Sequence, residues 1–135
     1  MNRMDGTTTS SAETGDAIHL FVYGTLRSDR SASTVLEGCQ LVTRATVPGT
    51  LYGLDGYPAL MLYGTTPVHG EVWRCPSDLI WRLDEYEGVE TGLFRRIGLE
   101  VKGLPCWTYV AGPHLAHELT PERRISSGDW QPDGT

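Results

Sequence analysis

The sequence predicts an α+β domain: a twisted, mostly antiparallel sheet closing into a small β-barrel, with one or two flanking helices. Three observations lead there. About six short apolar or alternating runs are separated by turns rich in Gly, Pro and Asp. A single segment, residues 77–88, combines helical periodicity with its own start and stop signals. No regular β-α-β alternation joins the runs, so hairpin turns dominate. Short strands in a small chain close into barrels because closure removes exposed edges.

Bulk properties bound the function. The 135 residues suit one domain with one core. Apolar residues make up 39 %, and the longest apolar run is far too short for a bilayer span. The net charge of −6 argues against a nucleic-acid partner, which needs a basic surface. No basic segment leads into an apolar stretch at the amino terminus, so no signal peptide is expected. Cys39, Cys75 and Cys106 are odd in number and have no metal-ligand or redox spacing. Small packed side chains in a reducing, cytoplasmic setting account for them. Oligomeric state is left open.

Residues 1–16, rich in Thr, Ser and Gly, read as a disordered tail, with the domain at 17–130 and a short polar end at 131–135. Residues 18–23 form a compact β-branched and aromatic run, expected as a central strand that stops at Gly24-Thr25-Leu26. A strand running into a Gly turn leaves backbone N–H groups facing open space, where an anion or oxyanion can sit. An ordinary turn explains the spacing equally well. A short helix or a loop with one turn is expected within 27–37, and a strand region at 39–54 interrupted at Pro48-Gly49. Asp55-Gly56 marks a turn, 58–63 a return strand, 64–67 another turn, and 68–75 a further strand. Residues 94–101 and 106–110 form the last strands, joined by a turn at 102–105.

The helical segment carries the first chemical signal. Pro76 and Ser77 suit a helix start, and Gly88 suits its stop. Leu79, Ile80, Leu83 and Tyr86 fall on one face, and Glu87 lies within that stripe, while Glu85 points away and Asp84 lies on the flank. A carboxylate aimed inward is costly unless something uses or compensates it. Burial and the negative helix end both raise its pKa, which suits a general base. The competing explanation is a pairing of Glu87 with Arg95 or Arg96. Other candidates are weaker. His114 and His117 have no acidic or thiol companion for zinc, and no metal site is expected. No Gly-x-Ser-x-Gly turn marks a serine nucleophile.

Phe21-Val22-Tyr23-Gly24-Thr25-Leu26, Tyr57-Pro58-Ala59-Leu60, Gly70-Glu71-Val72, Leu83-Asp84-Glu85-Tyr86-Glu87-Gly88 and Phe94-Arg95-Arg96 occur in one order. In this the chain resembles the γ-glutamylcyclotransferase-like, or AIG2-like, family from about Leu20 to Trp130. Ser127-Gly128-Asp129-Trp130 is similar to a closing segment of bacterial members. The resemblance implies a small mixed β-barrel with flanking helices. It implies cyclisation of a γ-glutamyl amine or amino acid to 5-oxoproline with release of the amine, with no metal or cofactor. It places the catalytic glutamate on Glu87 and substrate binding on Tyr23, Gly24, Thr25, Leu26 and Tyr109. Phe94 stands where many members carry Tyr.

The chemistry is sound on physical grounds. The substrate carries its own amine nucleophile, so orientation supplies much of the rate. A reference Glu pKa of about 4.3 lies about 3.5 below an α-amine, and burial can raise a carboxyl by about 3–5. The leaving group is unspecified, although the short loops near Asp55-Gly56 do not favour glutathione. The alternative is a non-catalytic small-ligand binding or regulatory module on the same barrel. A third option is an interaction domain with a partner on the acidic surface.

Overall fold

The computed structural model describes residues 17–24, 27 and 33–131. The expected tail at 1–16, most of the expected helix region before Ser33, and the end at 132–135 lie outside the described residues. Five strands form one mixed sheet: β1 (Ala17–Val22), β2 (Gln40–Gly53), β3 (Pro58–Pro76), β4 (Phe94–Val101) and β5 (Leu104–Ala111). The one α-helix among the described residues, α1 (Leu79–Tyr86), connects β3 to β4. The strand order is β2-β3-β1-β5-β4. Only β1 and β5 run parallel, in register at Leu20 and Trp107; the other pairs are antiparallel.

β1 is central because its alternate residues feed two cores. Leu20 and Val22 join Leu79, Ile80 and Leu83 of α1 in one apolar cluster. Phe21 and Tyr23 join Val68, Val72, Val110 and Trp130 in the other. The short parallel pairing is reinforced by buried Thr108 of β5, whose hydroxyl donates to the Phe21 carbonyl at 2.8 Å. Gly70 makes room for this strand: a Cβ there would lie 2.4 Å from the Val22 oxygen and 2.5 Å from the Phe21 ring.

Several expectations hold. β4 spans the predicted residues, and the β4–β5 hairpin turns on Lys102 and Gly103, both at positive φ (51° and 80°), the conformation a two-residue hairpin demands. The turn at Asp55-Gly56 closes the β2–β3 hairpin, with the Leu54 N–H donating to the Tyr57 carbonyl at 2.8 Å. The 3-10 turn Ser33–Leu36 falls inside the region expected to be helical. Other boundaries shift. The two strands expected at 58–63 and 68–75 are one strand, and β2 is not interrupted at Pro48. The ladder steps from Gly49↔Thr66 to Thr50↔Met61, so residues 62–65 bulge out without a partner across it. The expected turn at 64–67 therefore survives as a bulge, with the Thr50 hydroxyl donating to the Tyr63 carbonyl at 2.7 Å.

The closed barrel is corrected: the sheet is open. β2 and β4 are its edges, and no ladder joins them among the described residues. The reason lies in the carboxyl-terminal segment. It occupies part of the edge that closure would need, with Arg124 bridging Tyr52 and the Ile125 N–H donating to the Leu51 carbonyl at 2.8 Å. The sheet still curls, so that Lys102 Nζ comes within 3.4 Å of the Thr43 hydroxyl of β2. No helix among the described residues is long and apolar enough to cross a membrane.

The close approach at Gly70 predicts that Gly70→Ala lowers stability by about 1–3 kcal/mol through overpacking. Urea denaturation reads this directly; an unchanged midpoint would show that β1 and β3 can part at no cost.

Candidate active site

α1 begins later than its sequence signals suggest. Asp78 occupies the N-cap without a side-chain hydrogen bond, and Pro76 still belongs to β3. The end matches expectation and fixes the site. Glu87 is the C-cap, at φ −86° and ψ 0°, and Gly88 follows at φ +66°. The Gly88 N–H donates to the Glu85 carbonyl at 3.1 Å and the Val89 N–H to the Asp84 carbonyl at 3.0 Å. These are the paired bonds of a Schellman motif, which hold the last helical carbonyls and set the direction of the Glu87 side chain. Leu79, Ile80 and Leu83 are buried as expected, whereas Tyr86 is 45 % exposed. Helical periodicity assigned Tyr86 to the interior, but the helix ends there and its ring stands at the cavity rim.

The arginine expected as a possible partner of Glu87 is taken by another carboxylate. Arg96 of β4 grips Asp84 in a bidentate pair, Nε to Oδ1 at 2.8 Å and Nη2 to Oδ2 at 3.1 Å. Its guanidinium lies 4.4 Å from the centre of the Trp107 ring. The Tyr109 hydroxyl of β5 donates to the same Oδ1 at 2.7 Å. Glu87 is left with no hydrogen bond or ion pair from its side chain among the described residues. Burial alone pushes its carboxyl up from 4.5 to about 7.

The end of β1 supplies the opposite wall. The Tyr23 hydroxyl is buried; it donates to the Tyr109 carbonyl at 2.7 Å and accepts from the Leu60 N–H at 3.2 Å. Burial, aided by the charge of Glu87, raises its pKa and keeps it protonated. Gly24 lies against Pro58, whose ring carbons would be 2.7 and 2.8 Å from any added Cβ. The chain then turns, with the Arg27 N–H donating to the Gly24 carbonyl at 3.0 Å. Arg27 pairs with Asp129 at 2.7 Å, so the carboxyl-terminal Ser-Gly-Asp-Trp segment anchors this turn, and Trp130 packs into the second core.

These pieces enclose a cavity of about 280 Å³. Tyr23, Gly24, Tyr109 and Glu87 all line it, four of the six residues singled out in the sequence. Thr25 and Leu26 lie outside the described residues. The remaining walls are largely apolar and aromatic: Phe21, Tyr57, Pro58, Leu93 and Phe94, with Tyr57 and Phe94 packed edge to face at 6.0 Å. Sequence reasoning did not identify these as walls, although the Tyr57-Pro58 motif and Phe94 signalled three of them. It also passed over Asp84, whose pairing depends on where β4 and β5 lie.

The sequence profile of the family described as "Gamma-glutamyl cyclotransferase, AIG2-like" matches residues 20–132. The chain belongs to this family. A protein of Vibrio cholerae, provisionally named a gamma-glutamylcyclotransferase, is 38 % identical over 114 residues, covering 82 % of this chain and 93 % of its own length. The gamma-L-glutamyl-butirosin B gamma-glutamyl cyclotransferase of Niallia circulans is 35 % identical over 103 residues, 68 % of this chain and 65 % of that protein. Among solved structures, the solution structure of Escherichia coli ytfP superposes with a TM-score of 0.67 at 28 % identity, over 87 % of this chain and 100 % of that one. An AIG2-like protein of Mus musculus shares the fold, with a TM-score of 0.70 at 20 % identity, over 87 % and 90 % of the two chains.

The cavity glutamate has a consequence for stability. The folded family member keeps Glu87 protonated up to about pH 7, whereas the unfolded chain ionises it near 4.5. The contribution is therefore fully present below about pH 4 and lost as pH rises through 7. At about 1.36 kcal/mol per pH unit the loss reaches up to about 3 kcal/mol. Glu87→Gln is expected to be more stable than wild type by that order at pH 8 and equally stable at pH 4. Paired urea titrations at the two pH values check this; equal stability at pH 8 would mean that Glu87 is not held in a costly environment.

Proposed function

We propose that the protein cyclises a γ-glutamyl amine or γ-glutamyl amino acid to 5-oxoproline and releases the free amine, with Glu87 as general acid and base. The observation that carries this reading is the Glu87 carboxyl lining the cavity with no hydrogen-bond or ion-pair partner among the described residues, raised to about 7 by burial. An α-amine has a reference pKa of about 7.7–8.0, so acid and base are matched to within about one unit. Unpaired carboxyls at that value suit proton transfer in both directions near neutral pH.

The substrate's α-nitrogen attacks its own γ-carbonyl carbon. Glu87 takes a proton from the ammonium, the nitrogen–carbon bond forms, and a tetrahedral oxyanion results. Glu87 then returns the proton to the departing nitrogen, the original carbon–nitrogen bond breaks, and the second excess proton of the ring nitrogen passes by way of the same carboxylate to the released amine, which leaves as an ammonium. One of the three ammonium protons stays on the lactam nitrogen and two leave with the amine. A five-membered ring closes readily once oriented, so the rigid walls around Tyr23, Gly24 and Tyr109 supply much of the rate. Thr25 and Leu26, outside the described residues, are assigned to substrate binding on the resemblance alone. The Niallia circulans relative, named for a γ-L-glutamyl conjugate of butirosin B, supports a leaving amine that belongs to a larger molecule.

The test is 5-oxoproline release from γ-L-glutamyl-L-alanine, γ-L-glutamyl-ε-L-lysine and γ-L-glutamyl-butylamide. Wild type is expected to release it from at least one, and Glu87→Gln to lose about 10²–10⁴-fold in kcat. Folded wild-type protein inactive on all three would sink the proposal. The base form of Glu87 is depleted below its pKa, so kcat/KM should fall about tenfold per pH unit below about pH 7. A profile flat down to pH 5 would remove Glu87 from the role.

A further inference from the structure

Two of the tyrosines that line the cavity, Tyr23 and Tyr109, have committed their hydroxyl protons. A tyrosine hydroxyl has one proton to donate and lone pairs to accept with. The Tyr109 proton is committed to Asp84 Oδ1 at 2.7 Å, and the Tyr23 proton to the Tyr109 carbonyl at 2.7 Å. Neither phenol has a proton left for the cavity. The Tyr23 oxygen already accepts from the Leu60 N–H at 3.2 Å, so the Tyr109 oxygen and the Glu87 carboxylate are the acceptors left to the cavity by these three groups. Such a set complements a group made only of donors, and the ammonium of a γ-glutamyl substrate is one.

We propose that Asp84 is a positioning residue: by binding the Tyr109 proton it leaves the phenol oxygen as an acceptor that orients the substrate's α-amine toward the γ-carbonyl. The inference rests on the cyclotransferase reading and adds a residue to it. Asp84 is well held for the task. An ionised carboxylate only accepts, so it can bind the phenol in one sense alone. The bidentate grip of Arg96 fixes both of its oxygens, and the stack on Trp107 fixes Arg96. The Schellman bond from Val89 to the Asp84 carbonyl fixes its backbone. Tyr109 and Glu87 line the same cavity, so one bound amine can meet both the acceptor and the base.

Asparagine at position 84 can turn its amide N–H₂ toward the Tyr109 oxygen, which consumes the acceptor and releases the phenol proton into the cavity. The experiment is a double-mutant cycle of Asp84→Asn and Tyr109→Phe, using whichever of the three γ-glutamyl compounds wild type cyclises fastest, with thermal melting of every variant. Each single change is expected to lower kcat by about 100-fold, with KM within about threefold, because orientation rather than binding is lost. The double variant should be no more than about threefold worse than the poorer single one. Arg96→Gln keeps the Asp84 carboxylate and is expected to lose less kcat than Asp84→Asn. Should Asp84→Asn not fold because Arg96 is left uncompensated, Asp84→Asn with Arg96→Gln takes its place in the cycle. A kcat within about twofold of wild type in Asp84→Asn, a change confined to KM, or full multiplication of the two single losses would each overturn the inference while leaving the cyclotransferase reading intact. Wild type inactive on all three compounds overturns both.

Discussion

The ion pair between Asp84 and Arg96 is the interaction on which the cavity depends. Arg96 is held in a bidentate grip by Asp84, three residues before Glu87 at the same helix end. With Arg96 gripped by Asp84, the Glu87 side chain has no ion pair among the described residues. An arginine paired with Glu87 instead would have lowered the pKa of its carboxyl and taken it out of the neutral range. The Trp107 ring beneath Arg96 and the hydroxyl of Tyr109 on Asp84 make this choice of partner a property of β4 and β5 as well as of α1.

The sheet brings these groups together by placing β1 at its centre. Its two faces serve different cores, so its end emerges where the helix-bearing cluster and the Trp130-bearing cluster meet. The close contacts at Gly24 with Pro58 and at Gly70 with Phe21 let backbone approach side chain without a Cβ between them. The Arg27–Asp129 pair ties the following turn to the far end of the chain. A cavity whose described walls lie on strand ends and a helix cap keeps its polar groups in fixed positions, as the proposed cyclisation requires.

Much of this was legible beforehand. The periodicity of residues 79–87 with Gly88 behind it marked the helix, its stop and the inward glutamate. Lys102-Gly103 and Asp55-Gly56 marked two hairpins, because positive φ is a local demand that residue type answers. What failed depended on distant chain. The strand at 58–76 reads as two because Gly64 and Pro67 look like a turn, yet β2 pairs on both sides of the bulge and keeps the strand whole. The barrel failed because the segment around Arg124 and Ile125 binds the β2 edge, and nothing in a local pattern reports an edge already occupied.

By itself the sequence determined the helix cap, the glutamate aimed at the interior, the hairpin turns, and the family to which those motifs belong, since each is written in residues near one another. The tertiary structure alone decided which carboxylate receives Arg96, which way the protons of Tyr23 and Tyr109 point, and whether the sheet closes. Those outcomes turn on hydrogen bonds between residues 12 to 86 positions apart, and sequence proximity carries no information about such pairings.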